Sequence, residues 1–316
     1  MRIGYFLSSE EYSPAELVEQ AKGAERAGFS GLWISDHYHP WVDAQGQSAF
    51  VWSMIGALSQ ATNLEITTAV TCPTVRIHPA VIAQAAATSA VLTGGRFRLG
   101  VGTGEALNEH IFGDAWPEAD VRLEMLEEAV EIMRKLWKGG VVSYRGKHYT
   151  VENARVYTLP EKPVEILVSG FGPKAIEVAA RIGDGYVSTM PDGDMVQQFR
   201  SQGGGDRTCQ AGFKAAFADS AEEGARIAFE KWPNAGVPGE LSQVLPSPKH
   251  FEQASQLVTQ DMIAEAFVCG NDPEKHLEMI QKYADAGFDE VYVANTGPHY
   301  QGLFDLYARE ILPKFA

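Results

Sequence analysis

Cysteine is scarce and scattered. Among 316 residues there are three, Cys72, Cys209 and Cys269, odd in number and with no C-x-x-C pair. A disulfide framework and a zinc clip are thereby set aside, and a reducing compartment suits the chain. Basic residues are also few: 26 Lys and Arg face 41 Asp and Glu, for a formal net charge of -15. Binding along a nucleic acid needs clustered cations, and no such run occurs, so nucleic acid is not an expected partner. No stretch approaches the ~18 uninterrupted apolar residues of a membrane span, and no membrane partner is expected. The start MRIGYFLSSEEYSP lacks the basic-then-apolar order of a secretory leader, which makes the cytoplasm the expected location. With 31 Gly, 16 Pro, 45% apolar and 21% charged residues, the composition is that of a soluble globular protein, expected to form one domain over 1–316.

What the sequence does have is rhythm. Short β-rich runs at 3–7, 31–35, 65–70, 96–101, 164–169 and 185–189 alternate with helical patterns at 14–27, 48–62, 79–92, 120–137 and 173–182. Such alternation means βαβ units and a parallel sheet. Strands as apolar as EILVSG require cover on both faces. Gly28-Phe29 and Gly287-Phe288 mark equivalent helix-to-strand joints, a trace of an internally repeated unit. With a strand near 212–217 and a last one at 290–294 the count reaches eight, and the expected fold is α/β, a (β/α)8 TIM barrel. Two segments interrupt it: 139–163, expected as a hairpin-like insertion, and 201–249, rich in breakers and expected as a long loop or lid. An open doubly wound sheet is the structural alternative. Its G-x-G-x-x-G mark fails at Gly100-Val101-Gly102-Thr103-Gly104-Glu105 because Glu105 takes the last glycine position.

The densest polar cluster, Ser35-Asp36-His37-Tyr38-His39-Pro40-Trp41, follows the second strand. A titratable group at the carboxyl end of a barrel strand is placed for catalysis, which singles out His37. His39, farther along the loop, reads as an ordinary solvated side chain. His37-x-His39 is also half of a metal site, but barrel metallohydrolases draw further ligands from later strand ends. The last strand here runs out as Ala294-Asn295-Thr296-Gly297-Pro298, without a carboxylate, and no metal is expected. After the fourth strand, Gly102-Thr103-Gly104 lets the backbone approach a flat ligand, and Glu105 is a candidate proton relay. The same run also reads as a plain turn with a solvated Glu. Ser169-Gly170-Phe171-Gly172-Pro173 opens a helix whose free amides and dipole suit a phosphate. Glu10-Glu11 and Thr189, at other strand ends, are candidate pocket walls.

Together and in this order, SDHYHPW (35–41), the run from TTAVTCPT to HPAVIAQ (67–84), and GVGTGEALNE with GDAWPE (100–118) resemble the coenzyme F420-dependent glucose-6-phosphate dehydrogenase group of the luciferase-like superfamily. Residues 1–190 and 266–316 follow the group, and 191–265 do not align. The resemblance implies an F420-dependent oxidoreductase acting on CH–OH, with the deazaflavin at the strand carboxyl ends. By motif match Asp36, Cys72, Thr103, Gly104, Asn108, Phe171, Gly172, Lys174 and Ala175 would contact the coenzyme, Cys72 standing where the group has threonine. A non-proline cis peptide at Ala69-Val70 would bulge behind the ring. His37 would take the hydroxyl proton as hydride leaves carbon, and Glu105 would serve the proton arriving at the ring, the two roles being exchangeable. Trp41 would pack over the developing charge and Glu10 would hold substrate. The group's sugar-phosphate pocket uses a threonine at Thr189, a lysine where this chain has Asp192, an arginine where it has Ala266, and a second lysine without a counterpart. Glucose 6-phosphate is therefore not the expected substrate, whereas a neutral alcohol or unphosphorylated sugar is. An FMN-dependent luciferase-like monooxygenase and a flavin-binding protein without catalysis remain as alternatives. The resemblance also implies a homodimer.

Overall fold

In the computed structural model, which describes residues 1–315, the strands in chain order are β1 (Arg2–Leu7), β2 (Gly31–Ile34), β3 (Glu65–Thr68), β4 (Phe97–Val101), β5 (Val142–Arg145), β6 (Thr150–Ala154), β7 (Ile166–Ser169), β8 (Gly185–Ser188), β9 (Cys209–Ala216), β10 (Val268–Cys269) and β11 (Glu290–Asn295). Strands β1, β2, β3, β4, β7 and β8 pair side by side, all parallel. β8 then pairs with β9, β9 with β11, and β11 returns to β1 with Arg2 opposite Glu290. That ring of eight is the expected (β/α)8 barrel, and β10 adds a short parallel pairing to the end of β9.

The helices form for reasons visible in the chain. Helix Pro14–Ala27 begins with a capping box between Ser13 and Glu16, has proline in its first turn, and ends at Gly28, whose φ of 98° suits only a residue without a Cβ. Its apolar stripe Leu17, Ala21 and Ala24 is fully buried against the barrel wall. Inside the barrel Trp33 stacks on Tyr292 at 4.7 Å, and Gln210 accepts a hydrogen bond from the Trp33 indole while donating to Glu290. Arg2 and Arg98 close on Glu290 at the amino end. The lumen is thus packed from below, and the strand carboxyl ends form the mouth.

The segment 139–163 contains the antiparallel hairpin β5–β6. The segment 201–249 differs from a single long loop. Its glycines end a helix, Gly203 and Gly205 both at positive φ, and the chain then enters barrel strand β9 and helix Ala221–Lys231. The strand expected near 212–217 thus begins earlier, at Cys209, because CQAGFKAA carries no β-branched residue to announce its start. Short helices at Leu241–Val244 and Pro248–Ala254 follow, and Leu245 and Phe251 pack against Trp41, Val42 and Leu107 at the mouth. Among the described residues no helix is long and apolar enough to cross a membrane.

Candidate active site

His37 leaves the end of β2 with its ring 11% exposed. Its Nε2 lies 3.5 Å from Glu10 Oε1 and 3.5 Å from Glu105 Oε1, so two carboxylates from two other strand ends converge on one imidazole nitrogen. Each carboxylate is fixed from behind. Ser35 donates its hydroxyl to Glu10 at 2.7 Å, and the Asn108 amide donates to Glu105. The Asn108 carbonyl in turn accepts from the backbone of Tyr38 and His39, tying the β2 and β4 loops together. Trp41 sits 5.1 Å from His37, ring edge to ring face. His39 turns away to the Leu107 carbonyl.

Asp36 is buried, one oxygen accepting from Thr71 and the other from Arg76. Arg76 also bonds Glu109 through both its backbone amide and its side chain. One guanidinium therefore serves two carboxylates, and burial pushes the Glu109 carboxyl up to about 7 while Arg76 opposes the rise. This buried triad stiffens the floor under the β2, β3 and β4 loops.

The bond Ala69-Val70 is cis. Opposite it, a side chain at Gly102 would strike Val70 at 2.9 Å, and one at Gly104, φ 75°, would strike Cys72. Thr103 stands between them, half-buried. Cys72 is buried with its sulfur 2.9 Å from the Thr74 hydroxyl, and burial holds its thiol well above the usual range. Across the mouth, Gly172 precedes helix Pro173–Ile182 with no side-chain cap, and nothing lies within 4 Å of where its Cβ would be. Phe171 beside it is 43% exposed. Ala175 packs under Gly170, and Lys174 reaches outward to Asp120 at 2.8 Å.

Thr189 is exposed, and its carbonyl accepts from Tyr283. The Asp192 side chain caps helix Gly193–Phe199, accepting from the amides of Asp194 and Met195. Ala266 is exposed at the end of helix Gln260–Ala266.

Of the residues singled out in the sequence, the structure brings together His37, Glu10, Glu105, Trp41 and Asn108, whereas Lys174, expected against the coenzyme, pairs with Asp120 at the surface instead. Sequence reasoning found the first five. It passed over Arg76, Glu109, Lys214 and Trp232. Trp232 donates its indole N–H to Glu11 at 2.8 Å, and burial raises the Glu11 carboxyl. Arg76 and Lys214 each stand alone in an apolar run, TVRIHP and GFKAA. A lone charge in such a run was the available signal.

The model of the luciferase-like monooxygenase family matches residues 1–290. The chain belongs to the luciferase-like monooxygenase family. Within it, the F420-dependent glucose-6-phosphate dehydrogenase of Microbacterium testaceum is 35% identical over 326 residues, covering 99% of this chain and 97% of that protein. The protein of that name from Segniliparus rotundus is 33% identical, covering 99% and 98%. Among solved structures, an F420-dependent secondary alcohol dehydrogenase in complex with an F420-acetone adduct superimposes with a TM-score of 0.92 at 31% identity, covering 98% of each chain. These similarities agree with the family expected from the SDHYHPW and GVGTGEALNE motifs.

Proposed function

We propose that this family member is an F420-dependent dehydrogenase acting on CH–OH, with an alcohol or unphosphorylated sugar as substrate. The observation that carries the reading is His37 Nε2 held 3.5 Å from both Glu10 and Glu105, at the strand ends where barrel enzymes do their chemistry. The relatives named for F420 chemistry support it.

The residues present fit a flat, phosphorylated coenzyme. Gly102 and Gly104 omit side chains that would collide with Val70 and Cys72, leaving a smooth wall beside the Ala69-Val70 cis bond. The uncapped amides at Gly172 open a ten-residue helix and suit the coenzyme phosphate. Asp36 acts from beneath this wall through Thr71 and Arg76. When bound, the deazaflavin supplies an acceptor for the hydride.

The chain's own residues handle the proton and the fit. His37 takes the hydroxyl proton, and Glu10 and Glu105 flank the imidazolium so formed. A positioned base of this kind contributes about 10²–10⁴-fold. Trp41 covers the imidazole and keeps water from it. Glu10, held by Ser35, is also the acceptor for a substrate hydroxyl, and Glu105, held by Asn108, is the second fixed proton carrier. The three thiols are free, in keeping with a cytoplasmic enzyme, and we assign it a homodimeric state as well. The test is a side-by-side binding titration with F420, FMN and FAD, then anaerobic reduction of the bound coenzyme by alcohols. Tight F420 binding with alcohol-dependent bleaching is expected; preference for FMN with oxygen uptake would overturn the reading.

A further inference from the structure

Strand β9 alternates its side chains across the barrel wall. On the inner face, Gln210 joins the buried layer with Trp33 and Glu290, and a Cβ at Gly212 would strike the Trp33 ring at 2.5 Å. Lys214 is the next inward residue, one step nearer the mouth. Its Nζ lies 3.4 Å from the centre of the Trp232 ring and 5.2 Å from that of Phe6.

Those rings cover the ammonium on two sides without giving it an oxygen. Among the described residues Nζ makes no hydrogen bond and no ion pair within 4.0 Å. Nζ is not fully enclosed and retains some accessible surface. Glu10 and Glu11 act on it through space. Burial draws the ammonium down to about 8 while these two carboxylates hold it up, which leaves it mostly charged at pH 7. A charged donor kept in such a place without an acceptor is costly unless a ligand completes it.

We propose that Lys214 is a substrate-binding residue, and that the substrate is an alcohol carrying a second, uncharged oxygen, as in a polyol or sugar, which accepts a hydrogen bond from Lys214 Nζ. This rests on the dehydrogenase reading above. The second group is an oxygen because an alkyl group there would leave the donors unpaired, and sites built to bind a hydroxyl discriminate strongly against analogues lacking it. It is uncharged because Glu10 and Glu11 already balance the one cation, and a further anion would meet Glu10.

The experiment uses the F420-loaded enzyme and two matched pairs, 2-propanol against 1,2-propanediol and cyclohexanol against trans-1,2-cyclohexanediol. Steady-state kcat/KM is measured for each in the wild type and in Lys214→Met. The wild type is expected to prefer the diol at least tenfold in each pair, and Lys214→Met to bring the ratio within about threefold of one. A wild type indifferent to the second oxygen overturns the proposal, a comparison that stands even if the variant does not fold. A variant that folds and keeps the wild-type ratio overturns it too. Failure of every alcohol to reduce F420 overturns the dehydrogenase reading, and this proposal with it.

Discussion

At the scale of single residues the site is a set of carboxylates arranged around one imidazole. Replacing His37 with Asn keeps the shape and a hydrogen-bonding group but removes the base, so kcat should fall by ~100-fold or more while the dissociation constant for F420 stays within a few-fold. Stopped-flow reduction together with a fluorescence titration separates the two; a variant with full turnover would remove His37 from the mechanism. The polar cluster after the second strand announced this much, because His37, Trp41 and Glu105 lie in short motifs whose place at strand ends follows from the βα rhythm. Arg76, Glu109, Lys214 and Trp232 were not legible in the same way. Arg76 takes its meaning from Asp36, forty residues away, and Lys214 from a tryptophan beyond the following helix. Nothing in the local pattern of either segment specifies those partners.

At the scale of elements, helix starts and ends were the most readable features. The Gly28 stop of the first helix was read directly from the chain, and its amide closes on the Ala24 and Glu25 carbonyls, whereas β9 lacked the β-branched residues that make a strand conspicuous. Two helices carry predictions. At Gly172, φ is -117° and the space around the missing Cβ is open, so Gly172→Asp should fold normally and cap its helix. Its carboxylate would then occupy the anion site. The expected result is an unchanged melting temperature with an F420 dissociation constant at least tenfold higher, and equal affinity would move the phosphate elsewhere. The second helix, Pro273–Asp285, buries His276 between the Tyr307 hydroxyl at 3.1 Å and the Gly270 carbonyl at 3.4 Å, and burial draws its imidazole down to about 4. Between that value and the ordinary 6.5, the unfolded chain binds a proton that the folded chain refuses. Stability from this group is therefore complete above pH 6.5 and lost as pH falls toward 4, on the order of 3 kcal/mol. Urea midpoints across that window should slope less steeply in His276→Gln than in the wild type; parallel slopes would refute the assignment.

At the scale of the whole molecule several cations are held at the end of the barrel away from the mouth. Arg2 and Arg98 are spent on Glu290 at the amino end. Arg200 bonds the carbonyls of Gly205 and Gly287 together with Asp289, and Arg207 bonds those of Ala180 and Gly183. These acceptors precede β8, β9 and β11, so both arginines belong to the end of the barrel opposite the site. At the mouth Lys214 is matched by Glu10 and Glu11, Asp192 adds a negative charge beyond β8, and Ala266 offers no donor. A phosphomonoester dianion needs charge-assisted donors to replace its water, and this mouth does not supply a surplus of them. Glucose 6-phosphate should accordingly give a kcat/KM at least tenfold below that of glucose. Asp192→Asn tests the cause, since asparagine caps a helix as well as aspartate does while deleting the charge. It should raise kcat/KM for the phosphate ester and leave that for glucose within twofold. Steady-state F420 reduction with both sugars at equal concentration decides the matter: a wild type that prefers the phosphate ester would show that the loops at 233–257 bring in cations, with Lys249 on helix Pro248–Ala254 the first to replace.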